Sequence, residues 1–274
     1  EHVTAIEAEG IRRANLIAAT PIGINVRSTV ATYCGALDDM RRAYARTDSA
    51  KAAGLKMGDF SYNTGSLRCA TCDGTGQISL DVQFLPDVDI ACPDCRGSRY
   101  DTAAEKIRRP EKGAPDDQAL SLPHLLALSV DEALPHIADV KKALEKLQTL
   151  HDRGLGYLTL GEATPALSGG EAQRLKLASE MGRGQADAMF VFDEPTIGLH
   201  PRDVETLLGV FQRLVEQGAT VVVVEHDLDF IANADYVIDM GPQGGKAGGR
   251  IVACGTPEEI AANRESITGG YLEI

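Results

Sequence analysis

Short, unbroken apolar runs alternate with amphipathic stretches through the last third of this chain. Met189-Phe190-Val191-Phe192 and Val221-Val222-Val223-Val224 contain no polar residue, as expected for strands buried on both faces of a parallel sheet. Between them, Asp203 is placed to cap a helix carrying Leu207, Leu208, Phe211, Leu214 and Val215, with Gly218 as its stop. Strand, right-handed crossover helix and strand make a βαβ unit. Tyr236 to Met240 predicts a further strand, and Gly249 to Gly255 another near the sheet's edge. Thr256-Pro257-Glu258-Glu259 opens a helix with a capping box and Pro in its first turn.

The earlier part has a different rhythm. Residues 1–35 set short apolar runs among Gly, Pro and Thr, as strands and loops do. Asp38 to Lys56 predicts a helix, with Met40, Tyr44 and Leu55 among Arg and Ala. A Cys-rich, Gly-rich module fills residues 59–100, and a polar linker with Pro110 and Pro115 follows from Arg108 to Leu122. Residues 130–152 predict helices, with Val140, Leu144, Leu147 and Leu150 on one face. The expected organisation is therefore an α/β chain in three stretches. Residues 1–35 begin a parallel-sheet domain, residues 36–157 form an inserted helical region around the Cys-rich module, and residues 158–274 complete the sheet domain.

At 274 residues and 43% hydrophobic, the chain can bury a sizeable core. No apolar run approaches the roughly 18 residues of a membrane-spanning helix. The start, Glu1-His2-Val3-Thr4, has neither a secretory signal nor an initiator Met. A soluble cytoplasmic chain that begins inside a longer protein is expected. The net charge of −13 is unevenly spread: residues 1–110 hold 14 basic and 14 acidic residues, so residues 111–274, with 13 and 26, carry all of it. A neutral, Arg-bearing front on an acidic body is compatible with a local nucleic-acid surface, and equally with ordinary solvated charge.

Three segments carry candidate chemistry. Ser168-Gly169-Gly170-Glu171 precedes a helical pattern. It forms a capping box, and its bare glycine amides at a helix N-terminus also suit an anion such as a γ-phosphate. Asp193 and Glu194 follow a buried strand, where α/β sheets place ligands. Asp193 suits a Mg²⁺ shell, reached through water, and Glu194 is placed to polarise an attacking water. His226 ends the next apolar run, so adjacent parallel strands would set it beside Glu194 within reach of the phosphate. Separately, Cys69, Cys72, Cys92 and Cys95 give C-x2-C-x19-C-x2-C, a spacing suited to a closed tetrahedral Zn²⁺ site. Cys34 and Cys254 stand alone and read as small packing residues.

The order S-G-G-E-x-Q, apolar run-D-E-P and apolar run-E-H resembles the ABC ATPases. Leu167 to Arg174 and Asp193-Glu194-Pro195-Thr196-Ile197-Gly198-Leu199-His200 are similar to the UvrA branch, the damage-sensing subunit of bacterial nucleotide excision repair. Pro21-Ile22-Gly23, Phe84-Leu85-Pro86-Asp87-Val88, Lys146 to Leu150 and Gly255 to Glu259 extend the likeness along the chain. The resemblance implies an ABC-type parallel-sheet fold with an inserted zinc-binding signature module, covering the second nucleotide-binding half. It implies ATP and Mg²⁺ at composite sites, with Glu194 and His226 catalytic and Asp193, Ser168, Gly169, Gly170 and Gln173 binding nucleotide and metal. It further implies lesion-bearing double-stranded DNA, a UvrB-like partner and a homodimer of the whole protein, with no membrane.

Arg68, Arg96 and Arg99 flank the zinc module, and Arg41, Arg42 and Arg46 cluster at helical spacing; both groups are candidates for DNA phosphates or for plain solvation. Two departures stand out. No G-x-x-x-x-G-K-[ST] loop occurs, since Gly244-Gly245-Lys246-Ala247 lacks its spacing and hydroxyl. The chain alone is therefore expected to be an inactive or very weak ATPase. Ala19 also stands where the family usually has the Gln that touches Mg²⁺ and water. Alternatives are a UvrA-like paralogue for resistance to DNA-binding drugs, a transporter nucleotide-binding domain, or a non-catalytic zinc and DNA-binding module. The first knuckle also matches the C-x-x-C-x-G-x-G repeat of DnaJ-type chaperones, which Ser98-Arg99 breaks in the second.

Overall fold

The computed structural model describes residues 7–18, 20, 22–80, 88–110, 119–180, 186–197, 201–241 and 248–272. Two compact units emerge, residues 1–19 with 183–274, and residues 20–182. Strand β1 (Arg13–Ala18) belongs to the first. The second unit runs through α1 (Val30–Tyr33), α2 (Ala36–Tyr44), α3 (Asp48–Ala52), the hairpin of β2 (Gln77–Leu80) and β3 (Val88–Ala91), and the short pair β4 (Arg108–Arg109) and β5 (Leu120–Ser121). Helices α4 (Leu122–Leu126), α5 (Val130–His136), α6 (Lys141–His151) and α7 (Gly169–Glu180) complete it. The chain then returns to the first unit with β6 (Ala188–Asp193), α8 (Pro201–Glu216), β7 (Thr220–Val224), α9 (Leu228–Ala232), β8 (Val237–Gly241), β9 (Arg250–Gly255) and α10 (Pro257–Ala262). Among the described residues no helix is long and apolar enough to cross a membrane.

The sheet of the first unit has three parallel strands in the order β1-β6-β7. Its central strand buries Phe190 and Phe192. The Phe192 ring lies 4.4 Å from that of Phe211 on α8, which in turn meets Phe230 on α9 at 5.6 Å. Leu207, Val210, Phe211 and Leu214 recur at helical spacing and are all buried, so α8 lies on the aromatic face of the sheet. The helix starts at Pro201, ahead of the expected cap at Asp203; proline suits a first turn, where its missing N–H has no partner to lose. Its end is as the pattern predicts. Gly218 has φ +87°, its N–H donates to the Val215 carbonyl at 2.9 Å, and Ala219 N–H donates to the Leu214 carbonyl at 3.0 Å.

The expected burial on both faces does not hold. Leu16 is 68% exposed, Val222 42% and Val224 55%. The register aligns Leu16, Val191 and Val222 on one face, which stays largely open to solvent among the described residues. A continuous apolar run marks a strand here without showing which faces are covered. The last two strands also differ from expectation, because among the described residues β8 and β9 pair with each other, antiparallel, as a separate two-stranded sheet. The box after them is present: Thr256 N–H donates to Glu259 Oε2 at 2.9 Å and Glu259 N–H to Thr256 Oγ1 at 3.4 Å.

In the second unit the predicted 38–56 helix is two, α2 and α3, separated where Thr47 caps the second through Ala50 N–H at 3.2 Å. Leu147 and Leu150 of α6 join Leu122, Leu125, Val130 and Leu155 in one helical core. Ala172, Leu175 and Ala178 of α7 enter that same core, as do Val30 and Ala31. Residues 20–35 and 158–182 thus pack with the helices, whereas the pattern of apolar runs groups them with the strands. The polar linker is partly built in: Arg109 is buried, donates to the His136 carbonyl at 3.0 Å and pairs with Asp139, while residues 111–118 lie outside the described part. Leu147 has no solvent exposure, so Leu147→Ala is expected to destabilise the second unit by about 2–5 kcal/mol in denaturant unfolding.

Candidate functional site

The first unit gathers acids and an imidazole at the carboxyl end of its sheet. The β6–β7 register pairs Asp193 with Val224, and one residue on, Glu194 N–H donates to the Val224 carbonyl at 2.9 Å. Glu194 adopts φ +46°, a left-handed conformation that costs a residue with a Cβ about 1–2 kcal/mol. Such strain is concentrated at ligand-handling turns. His226 follows β7 directly, and its Nδ1 lies 3.7 Å from Glu194 Oε1, too long for a hydrogen bond but within ion-pair range. The imidazole is 74% exposed and Glu194 46%. Beside them is an open pocket lined by Thr196, Ile197, His226, Asp227, Leu228 and Asp229.

Glu225 is a residue whose role the sequence pattern did not assign. Its side chain is 3% exposed and accepts from Thr196 N–H and His226 N–H, both at 2.8 Å, from Asp227 N–H at 3.2 Å, and from the Thr196 hydroxyl. Burial opposes its ionisation, but these donors outweigh burial and hold its carboxyl below the ordinary value. Asp227 in turn caps α9 through Phe230 N–H at 2.8 Å. His226 is therefore pinned on both sides along the backbone, and the loop after Glu194 is clamped to the loop after β7. Its only sequence signal is an acid at the end of an apolar run.

In the second unit, the start of α7 is a working capping box. Ser168 N–H donates to Glu171 Oε2 at 2.7 Å and Glu171 N–H to Ser168 Oγ at 3.3 Å. The other carboxylate oxygen of Glu171 accepts from Tyr157 Oη at 2.6 Å. Ser168 is exposed, Gly169 half-buried and Gly170 buried, so the serine at this N-terminus meets solvent. Gln173 is 2% exposed and buried within the unit.

The four cysteines come together. Their sulfurs all lie within 4.8 Å of one another, with Cys69 to Cys92 at 3.9 Å and Cys72 to Cys95 at 3.6 Å. Tetrahedral thiolates at the usual Zn–S distance of about 2.3 Å stand about 3.8 Å apart, so the donor set fits Zn²⁺. Gly76 N–H donates to Cys72 Sγ at 3.3 Å. Burial disfavours the Cys72 thiolate, yet this amide and the neighbouring thiols draw it down to about 7, whereas burial pushes Cys95 up to about 12. Gly74, at φ +75°, admits no side chain: a Cβ there would lie 1.7 Å from the Tyr62 carbonyl oxygen.

No protein-family model matches the chain. Curated sequences do. UvrABC system protein A of Streptococcus pyogenes serotype M6 is 46% identical over 267 residues, 97% of this chain and 28% of that protein. Its Bacillus subtilis counterpart is 48% identical over 254 residues, 92% of this chain and 26% of that protein. The crystal structure of UvrA2 from Deinococcus radiodurans superposes with a TM-score of 0.89 at 42% identity, covering 96% of this chain and 32% of that one. Over nearly its whole length the chain is UvrA-like. It spans under a third of the length of these UvrA relatives. The fold is α/β, a parallel sheet with an inserted helical, cysteine-cluster module, and it matches that of the UvrA2 structure.

The arginines separate into two kinds. Arg42 is exposed and pairs with Asp39 at 2.7 Å; Arg68 is half-exposed and pairs with Asp73 at 2.8 Å; Arg96 is exposed. Arg41 is turned inward, donating to the Met57 carbonyl at 3.0 Å from one nitrogen and to Asp38 at 2.8 Å from another. Arg99 is buried. Pro21, 84–87 and 198–200 of the UvrA-like pattern lie outside the described residues, as do Ala19 and the Gly244 to Ala247 segment that falls short of a phosphate loop.

Glu225→Gln tests the clamp through pH. A native carboxyl that titrates below its unfolded value of about 4.3 stabilises fully above that value, and loses the stabilisation as pH falls through the native one. Denaturant unfolding should give a parent-minus-variant stability gap that is widest near neutral pH and closes in acid. A gap that does not change with pH would refute the role given to the carboxylate.

Proposed function

We propose that the protein containing this chain is a DNA-damage-recognition ATPase of nucleotide excision repair, coupling ATP turnover to lesion-bearing duplex DNA and to the loading of a UvrB-like partner. Similarity to proteins named UvrABC system protein A supports this reading at the level of the family. The observation that carries the chemistry is Glu194, held at φ +46° at the carboxyl end of β6 with His226 Nδ1 3.7 Å from its carboxylate.

In this reading Asp193 holds Mg²⁺ through water, and Glu194 orients and polarises the water that attacks the γ-phosphate. His226 faces the same phosphate, its backbone set by Glu225. Ser168, Gly169 and Gly170 offer a helix N-terminus to the γ-phosphate of a nucleotide held by another half, where the helix dipole favours negative charge. Gln173, assigned with them to the nucleotide, is 2% exposed. Zn²⁺ held by Cys69, Cys72, Cys92 and Cys95 would supply a structural cross-link where apolar packing is thin. DNA phosphates fall to Arg42, Arg68 and Arg96, whose side chains reach solvent. Recognition then depends on how the duplex deforms and reads no base edges. The intact protein acts as a homodimer in the cytoplasm.

Glu194→Gln in the intact protein removes the base and keeps the shape. Steady-state hydrolysis is expected to fall about 100-fold or more, with ATP binding retained in an equilibrium assay. Undiminished turnover would sink the assignment.

A further inference from the structure

The two cysteine knuckles follow the same backbone course, and at its last position one has glycine where the other has arginine. Cys69-Ala70-Thr71-Cys72-Asp73-Gly74-Thr75-Gly76 aligns with Cys92-Pro93-Asp94-Cys95-Arg96-Gly97-Ser98-Arg99. The backbone repeats as well: Asp73 and Arg96 both have φ +51°, Gly74 and Gly97 have +75° and +90°, and Gly76 and Arg99 have +81° and +73°. In the first knuckle the amide at the last position bonds the second sulfur, Gly76 N–H to Cys72 Sγ at 3.3 Å. Glycine takes that conformation freely, whereas arginine is strained in it. The second knuckle nevertheless carries a long cation where its twin has no side chain.

That cation is 6% exposed. One of its nitrogens donates to the Val26 carbonyl at 2.8 Å, and the guanidinium lies 5.3 Å from the centre of the Tyr62 ring. Its stem occupies space that Gly76 leaves free, since a Cβ on Gly76 would stand 3.2 Å from Arg99 Cγ. Nε is buried with no hydrogen-bond partner among the described residues. The carboxylate of the first knuckle is engaged elsewhere, for Asp73 pairs with Arg27 at 2.7 Å and Arg68 at 2.8 Å. A charge removed from water requires an opposite charge nearby. Burial disfavours the charged guanidinium, and negative charge on Tyr62, Cys72, Cys95 or Tyr100 would oppose that. Neutral thiols would add no countercharge to the Val26 carbonyl and the Tyr62 ring, whereas four thiolates around one divalent ion carry two net negative charges.

We propose that Arg99 is the built-in counter-cation of a metal–tetrathiolate centre, strengthening metal retention and tying the charge of that centre to the segment at Val26. The proposal rests on reading the four cysteines as a zinc site. Zinc content and zinc affinity, by competition with a chromogenic chelator, are measured on the intact chain as parent, Arg99→Gln and Arg99→Lys. Glutamine keeps a donor for Val26 without the charge, and lysine keeps the charge without the fork. The glutamine protein should hold zinc about tenfold or more weakly and the lysine protein within about threefold of the parent. In Co²⁺-loaded samples the thiolate-to-cobalt charge-transfer band should move to lower energy only in the glutamine protein, because a nearby cation stabilises sulfur lone pairs. Equal affinity of parent and glutamine variant overturns the proposal, and so does equal loss in both variants. If the glutamine protein does not fold, lysine decides: retention within about threefold supports the proposal and a larger loss overturns it. A folded parent that takes up no zinc overturns the zinc reading and the proposal with it, and the parent's metal content alone distinguishes that result.

Discussion

Hydrogen bonding between β6 and β7 continues one residue past the strand, and the candidate catalytic geometry depends on it. Neighbouring strands lie about 4.8 Å apart, so residues leaving the same end of two paired strands are held side by side whatever their separation in sequence. The bond from Glu194 N–H to the Val224 carbonyl uses this constraint. It turns the chain sharply at Glu194 and brings the carboxylate opposite His226. Glu225 then converts proximity into fixed geometry by collecting donors from both loops. A buried carboxylate saturated with amide donors is stiff, and exposed groups attached to it inherit that stiffness.

The helical unit uses two kinds of core. One is ordinary close packing, in which Leu122, Leu125, Val130, Leu147, Leu150 and Leu175 exclude water. The other consists of Cys69, Cys72, Cys92 and Cys95, with Ile78 packed partly against them among the described residues. A bound metal would add cross-links between the two knuckles. The module is also keyed to the segment after β1. Tyr62 Oη donates to the Arg27 carbonyl at 3.1 Å and shares a hydrogen bond with Thr29 at 3.0 Å, while Arg27 pairs with Asp73 and Arg99 bonds Val26. These contacts tie the cysteine module to the chain between residues 26 and 29.

Much of this was legible from residue order. Signals that act over a few residues read well: the capping boxes at Ser168 and Thr256, the stop at Gly218, and the two C-x2-C knuckles all occur as their spacing predicts. Each depends on a backbone amide and a side chain close together in sequence. Signals that depend on what lies opposite read poorly. Val222 and Val224 belong to an apolar run, yet they face solvent. Arg41 and Arg99 resemble Arg42 and Arg96 in sequence, yet the first two are engaged within the fold. Tyr157, whose hydroxyl holds Glu171, carries no local mark at all.

The sequence by itself determined which residues are chemically able to act: two acids after one apolar run, a histidine after the next, four paired cysteines and a glycine-rich helix start. Their residue types and short-range spacing limit the chemistry before any folding is considered. Only the tertiary structure decided which of them meet and which groups hold them. Strand register set His226 beside Glu194, burial made a clamp of Glu225, and the packing of the second knuckle turned Arg99 inward. Those outcomes depend on contacts between residues far apart in the chain, and the side chains themselves do not encode their partners.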